Sequence, residues 1–368
     1  MGSNVGVLHG GIRARVANYL EASAERSGGR GSRVGGALAS AWGAFEAGRV
    51  SRPVSIPARA KVIGVGGATL GGSYKTPLSV AVAEALARRG ERVALVGHAY
   101  RGRVRFARPV SPSDDVGEVG DDALFAARRL SALGIPVFVG PSRQAAVNLA
   151  ARSASWLVVD GLLQARPERI SCSILGLDGR RPWGQGQCPP LGDLRAPPEA
   201  LLNAADVMAT VRDAGEEPAE DVRPAREGLR SSDSAAPRPA LSEPLHWDVT
   251  GRVAAAVDAS GRHVALAELA SRRIGVLLTI ARPERVMDAL ACRGLFAIRF
   301  VRFGDHDRPS QAELDRIARG PGPRVDVWVT TEKCATNLPA SLAHAPILAL
   351  RHELDLPGNL LRFLASRG

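Results

Sequence analysis

The chain is short of aromatic residues, of lysine and of patterned cysteine, and each shortage excludes something. Aromatics make up 4% of the 368 residues, so the core must be aliphatic, and the stacking platforms of single-strand nucleic-acid binders are missing. Cys172, Cys188, Cys292 and Cys334 stand apart without CxxC or Cys/His spacing, which signals neither a zinc site nor a disulfide framework and fits a reducing compartment. No apolar run reaches the roughly 18 residues of a membrane-crossing helix. Arg13 and Arg15 break the region where a signal peptide would need an unbroken apolar core, so export is not expected.

Lysine is the sharpest shortage. Of 48 basic residues only Lys61, Lys75 and Lys333 are lysines, so a lysine in a special setting carries information. The net charge of +11 favours an anionic partner such as phosphate or an acidic membrane surface. Nucleic acid is not expected, because the arginines are dispersed, and no protein partner is signalled. With 45% hydrophobic residues the chain is long enough for two globular domains.

One of the three lysines has such a setting. Residues 60–77, AKVIGVGGATLGGSYKTP, read as a buried strand, a glycine-rich turn and the mouth of a helix. Glycines there let backbone N–H groups converge on phosphate oxygens, and the new helix presents its positive end. Lys75 would reach the terminal phosphates and Thr76 would hold Mg²⁺, with Thr69, Gly71, Gly72, Ser73 and Tyr74 completing the nucleotide cradle. Tyr74 stands where a glycine is usual; a tyrosine resists positive φ, and its ring is expected to crowd the nucleotide.

The rest of the chain alternates strand and helix, which predicts an α/β fold with a mostly parallel, P-loop NTPase-like sheet. Four segments are expected. Residues 1–55 form a basic, weakly amphipathic helical segment that lies on an anionic bilayer or packs on the following domain. Residues 56–212 form the P-loop core, 213–244 a polar, proline-rich linker or insertion, and 245–368 a second, smaller α/β lobe.

Four acidic or basic residues stand at predicted strand ends or helix starts. Asp121 and Asp122 precede a helix expected over 123–133, where they complement its dipole or, facing the cradle, supply a general base. Asp160 ends the apolar strand Trp156–Asp160, as a metal-holding carboxylate would. His306, flanked by Asp305 and Asp307, lies on a polar loop and is either solvated or part of a site.

The order of these motifs resembles the tetraacyldisaccharide 4'-kinase family, the lipid A 4'-kinases of Gram-negative bacteria. VGGATLGGSYKTP matches a cradle of the type VGNxTxGGxGKTP. GDEP-like Gly120 to Ala123, DDGLQH-like Asp160 to Ala165 and LPxGxLREP-like Pro190 to Pro197 follow. The second half adds a GIxxPERF-like stretch at Thr279 to Val286, a DHHxF-like loop at Asp305 to Asp307 and TTEKD-like Thr330 to Cys334. The resemblance implies an ATP- and Mg²⁺-dependent kinase for the 4'-hydroxyl of a lipid A disaccharide precursor, peripheral at the cytoplasmic face of the inner membrane. It implies Asp121 as catalytic carboxylate paired with His306, and Thr76 and Asp160 at the metal. It places Tyr100, Arg195 and Gln164 near the substrate. The departures are Tyr74 for glycine, Gly161 for the second metal aspartate, Ala165 for the histidine of that segment, His98 for arginine, Ala196 for glutamate and Cys334 for aspartate. They frame an alternative, a catalytically degenerate homologue that binds lipid or membrane as a scaffold.

Overall fold

A computed structural model of the protein describes residues 38–42, 54–162, 170–213 and 244–367. The first half contributes strands β1 (Lys61–Gly67), β2 (Val93–Val96), β3 (Arg108–Pro109), β4 (Val137–Val139), β5 (Trp156–Asp160), β6 (Cys172–Asp178) and β7 (Val207–Asp213). The second contributes β8 (Leu245–Val257), β9 (His263–Val264), β10 (Ile274–Leu278), β11 (Ala297–Arg302), β12 (Val327–Thr331), β13 (Ser341–Leu342) and β14 (Ala345–Asp355). The sheet runs in the order β11-β10-β12-β14-β8-β7-β6-β1-β5-β2-β4-β3, with β9 and β13 attached to β8 and β14.

The predicted α/β class and mostly parallel sheet are both present. β1 is central, parallel to β5 and β6, and all but its first residue are buried. A continuous apolar run of this kind is what a strand covered on both faces requires. The register sets Val65 beside Asp160, so the carboxylate that ends β5 emerges next to the end of β1 where the glycine turn begins.

β8 joins the halves. It is parallel to β7 on one side and antiparallel to β14 on the other, so one sheet carries strands from both. Asp213, expected as the first residue of the linker, is the last residue of β7. The rest of the expected linker, residues 214–243, and most of the N-terminal segment, residues 1–37 and 43–53, lie outside the described residues.

Eight helices cover the sheet among the described residues in these halves: α1 (Lys75–Arg88), α2 (Val116–Val119), α3 (Asp121–Leu130), α4 (Arg143–Ala150), α5 (Pro198–Ala204), α6 (Glu284–Ala291), α7 (Gln311–Arg319) and α8 (Gly358–Ser366). α1 buries Leu78, Val82 and Leu86 in the main core, which Leu360 and Leu364 of α8 also enter. The last helix of the chain thus packs on the half that holds the cradle. Truncating one of these fully buried leucines to alanine should cost about 2–5 kcal/mol. α3 starts at Asp121, not at Ala123 as the sequence suggested, because Gly120 at φ 84° turns the chain into the helix two residues earlier. Both aspartates therefore sit in the first turn, at the positive end of the helix.

Candidate active site

The cradle is tight because its glycines have neighbours where a Cβ would stand. A Cβ on Gly67 would lie 2.7 Å from the Ser73 Cβ. Inside the loop the Thr69 N–H donates to Ser73 Oγ at 2.9 Å and Thr69 Oγ1 donates to the Gly71 carbonyl at 2.5 Å. Gly72 and Tyr74 take positive φ values of 74° and 54° before α1 begins. Arg195 braces the loop from outside, its N–H donating to the Ala68 carbonyl at 2.9 Å and its guanidinium to the Leu70 carbonyl at 3.2 Å.

At the helix mouth three predicted residues meet. Lys75 Nζ donates to Asp160 Oδ2 at 3.1 Å and to Thr76 Oγ1 at 3.2 Å, while Thr76 Oγ1 donates to the same Oδ2 at 2.8 Å. Asp160 is buried, so these donors replace the water its carboxylate has lost.

The second half delivers a histidine and a lysine to the same place. His306 Nδ1 lies 2.7 Å from Asp121 Oδ2 and 2.9 Å from Oδ1, across 185 residues of sequence. Its Nε2 is 3.2 Å from Lys333 Nζ. A lysine ammonium can only donate, so Nε2 accepts and Nδ1 carries the proton given to Asp121. Lys333 also reaches Asp122 Oδ1 at 3.0 Å, and Lys75 Nζ is 3.8 Å from Asp122 Oδ2. Asp122 is therefore the link between the cradle lysine and the dyad.

Electrostatics keep this cluster charged. Burial alone would push the Asp121 and Asp122 carboxyls up, but the Lys333 charge, with the His306 hydrogen bond on Asp121 and the Lys75 charge on Asp122, holds both below the usual carboxylate range. Burial opposes the Lys333 charge, yet Asp122 and Asp121 raise its pKa above the ordinary lysine value. Asp121, Asp122 and His306 each offer a ligand atom within 4.8 Å of the others, as a metal site would. The Lys333 ammonium sits among those atoms and already supplies their counter-charge.

Tyr100 stands beside the dyad, its ring 4.8 Å from that of His306. His98 is pushed down to about 3 by burial and by the Arg143 and Lys75 charges, so it is a neutral group between cations. Gln164 and Ala165 lie outside the described residues.

Tyr74 has local partners. Its hydroxyl donates to Asp213 Oδ2 at 3.1 Å, its ring stacks on His352 at 5.7 Å, and the Arg285 guanidinium lies 4.5 Å from the ring centroid. The ring is held by these neighbours, which come from the end of β7, the first turn of α6 and the middle of β14. Two other departures also have local partners. Gly161 has φ 75°, and a Cβ there would lie 2.7 Å from Arg143 Nη2, so an arginine occupies the space a second carboxylate would need. Cys334 is buried, and its Sγ accepts from the Thr279 N–H at 3.3 Å.

The residues that sequence reasoning left out are Lys333, Asp122 as a bridge, and Arg143. Lys333 had a signal, since it is one of only three lysines and follows a predicted strand.

A family model, Tetraacyldisaccharide-1-P 4'-kinase, matches residues 38–367. The chain belongs to this family. It is similar to the Tetraacyldisaccharide 4'-kinase of Anaeromyxobacter dehalogenans (strain 2CP-C), 34% identical over 307 residues that cover 78% of this chain and 75% of that protein. It resembles the enzyme of the same name from Syntrophus aciditrophicus (strain SB) at 32% identity over 292 residues, 77% of this chain and 76% of the relative. Among solved structures, the "apo" form of LpxK from Aquifex aeolicus in complex with ATP superposes with a TM-score of 0.62 at 17% identity. That match covers 97% of this chain and 99% of the other and supports the kinase-family fold.

Proposed function

We propose that the chain transfers the γ-phosphoryl group of ATP to the 4'-hydroxyl of a tetraacyldisaccharide 1-phosphate, the acceptor lipid of lipid A biosynthesis. The observation that carries this reading is the meeting of Lys75, Thr76 and Asp160 with Asp121 and His306 through the shared neighbour Asp122. Family membership and the names of the relatives support the same reaction.

The residues fit Mg²⁺-ATP. A threonine hydroxyl and a carboxylate oxygen 2.8 Å apart are the hard oxygen donors that Mg²⁺ takes, and the glycine turn leads into the N-terminus of α1, whose backbone N–H groups suit phosphate. When bound, Mg²⁺-ATP supplies the phosphoryl group and neutralises charge that builds on its oxygens. Thr76 and Asp160 would hold the ion, while Lys75 and the N-terminus of α1 bind phosphate oxygens. Asp121, ionised and oriented by His306, accepts the proton of the sugar hydroxyl. Lys333 keeps that carboxylate charged and fixes which nitrogen of His306 bears hydrogen. Arg195 holds the shape of the cradle, and Tyr100 sits where an acceptor sugar would approach the dyad.

No helix among the described residues is long and apolar enough to cross a membrane. A lipid acceptor still requires contact with a bilayer, and we place the enzyme peripherally at the cytoplasmic face of the inner membrane, drawn there by its excess of arginine.

The test is transfer of labelled γ-phosphate to the disaccharide in detergent micelles. Wild-type protein should label it in the presence of Mg²⁺, and Lys75→Ala should abolish the label. A folded wild-type protein that shows no transfer would refute the proposal.

A further inference from the structure

Helix α3 meets the turn after β12 twice. At its first turn Asp122 takes the Lys333 ammonium at 3.0 Å. Seven positions further, about 10 Å along the helix axis and on the same face, Arg129 meets Glu332, the residue before Lys333. Its Nη1 donates to Glu332 Oε2 at 3.0 Å and to Oε1 at 3.3 Å. The two pairs are crossed in sign: the helix offers an acid and then a base, and the neighbouring residues of the turn offer a base and an acid. A turn that slid along the helix would stretch both.

Arg129 is buried, its side chain 6% exposed, and it holds more than the turn. Its Nε donates to Glu84 Oε1 at 3.0 Å, on α1, the helix that Lys75 opens. Its Nη1 also reaches the His352 carbonyl of β14 at 3.5 Å, and Nη2 lies 3.9 Å from Glu353 Oε1. The guanidinium donates from a rigid planar fork, so one side chain fixes α1, α3, β14 and the turn relative to one another. A lysine, with a compact charge on a flexible stem, could keep one of these carboxylates but not the set. None of these contacts involves Asp121, the phosphate cradle or a group placed at the acceptor hydroxyl.

We propose that Arg129 is a positioning residue for phosphoryl transfer: through Glu332 it holds Lys333 at Asp122 and His306, and so fixes which nitrogen of His306 bears the hydrogen given to Asp121. The inference rests on the kinase reading above and deepens it. Lys333 serves three neighbours, Asp122 Oδ1 at 3.0 Å, His306 Nε2 at 3.2 Å and Asp121 Oδ2 at 4.0 Å. An ammonium on a flexible four-carbon stem is placed among them only as well as its backbone is. Once displaced, it leaves Nε2 without its donor, and the ring is free to carry its hydrogen there instead of on Nδ1. A misplacement of about 1 Å that starts away from the chemistry can cost about 10²-fold in rate.

Glu332→Gln and Arg129→Lys test it, each alone and combined with Lys333→Met, with melting curves to confirm folding. Glu332→Gln keeps the side-chain shape and removes the charge on which the Arg129 fork closes, whereas Arg129→Lys keeps the charge and removes the fork. Each should lower kcat about tenfold or more and move the KM for ATP by less than about twofold. In the Lys333→Met background either change should move kcat by less than about twofold, because the residue it acts through is gone. A purely structural ion pair predicts losses that multiply. Multiplied losses, or an unchanged kcat in either folded variant, would overturn the proposal, and either variant suffices if the other fails to fold. The tautomer of His306 gives a readout without turnover. Nitrogen NMR of imidazole-labelled protein, assigned by difference from His306→Ala, should show the Nδ1–H form in the wild type and a mixture of forms in Glu332→Gln and Arg129→Lys. The same form in variant and wild type would contradict the role given to Arg129. If the wild type phosphorylates no acceptor, the kinase reading falls, and the NMR spectrum still decides whether Arg129 and Glu332 set the histidine.

Discussion

Lys75 and Lys333, 258 positions apart in the chain, flank one carboxylate: their amines lie 3.8 and 3.0 Å from the two oxygens of Asp122. Lys75 opens α1 and also holds Asp160, whereas Lys333 follows β12 and also touches His306. A buried carboxylate between two ammonium groups ties the glycine turn at the mouth of α1 to the Asp121–His306 pair. The coupling spans both halves of the sheet, so the site exists only when they are joined.

Replacing Lys333 should change the pH dependence of both activity and stability. Asp121 and Asp122 have depressed pKa values, so their contribution is present above the unfolded carboxylate value and is lost as pH falls through the depressed one. Lys333 has a raised pKa, so its contribution is present below the unfolded lysine value and is lost as pH rises through the raised one. The cluster therefore stabilises fully between about pH 4 and about pH 10. Lys333→Met should move the acidic limb of kcat/KM to higher pH, with Lys333→Arg giving partial recovery. The Lys333 side chain is 25% exposed, so the loss of stability at neutral pH should sit at the low end for a broken buried pair, about 3 kcal/mol. A pH–rate profile and melting curves across pH check both, and an acidic limb that stays in place would contradict the role assigned to Lys333.

A carboxylate placed at position 161 should harm this chain. Gly161→Asp places a Cβ 2.7 Å from Arg143 Nη2 at φ 75°, which should destabilise the protein by roughly 1–3 kcal/mol. Gly161→Ala should lose a similar amount, because the positive φ sets the cost for either side chain. Equal stability of the wild type and either variant in denaturant titration would show that the loop accommodates a side chain freely.

The ring of Tyr74 should prove structural. Tyr74→Phe removes the hydrogen bond to Asp213 and should cost about 0.5–1.5 kcal/mol, read as a fall in Tm. The KM for ATP should change by less than about twofold, since the ring is held by Asp213, His352 and Arg285. A tenfold or larger fall in that KM for Tyr74→Ala would mean that the ring does obstruct the cradle.

Much of this site could be read from residue order, and the unread part has a physical reason. β1, the glycine turn and α1 were legible because an apolar run, clustered glycines and a helical repeat follow one another within 30 positions. The Asp121–His306 pair was legible only through the family resemblance, since nothing local in a GDHD loop says that it will meet an acid 185 residues earlier. β8 was not anticipated, although it is the longest strand. Its first half alternates between exposed and buried up to Gly251 and beyond, its apolar run Val253–Val257 is mostly alanine, and it follows a polar segment, so no strong strand signal marks it. The surroundings of the Tyr74 ring are not legible in the sequence, because its partners come from positions 213, 285 and 352, which no local pattern brings together.

The central claim is that Asp121 and His306 act as one unit on the acceptor hydroxyl. Single-turnover phosphoryl transfer by Asp121→Asn, His306→Ala and the double variant tests it most directly. Asp121→Asn should lower the rate by about 10²–10⁴, His306→Ala by less, and the double variant should match Asp121→Asn within about threefold. Losses that multiply in the double variant, or a wild-type rate from Asp121→Asn, would contradict the account.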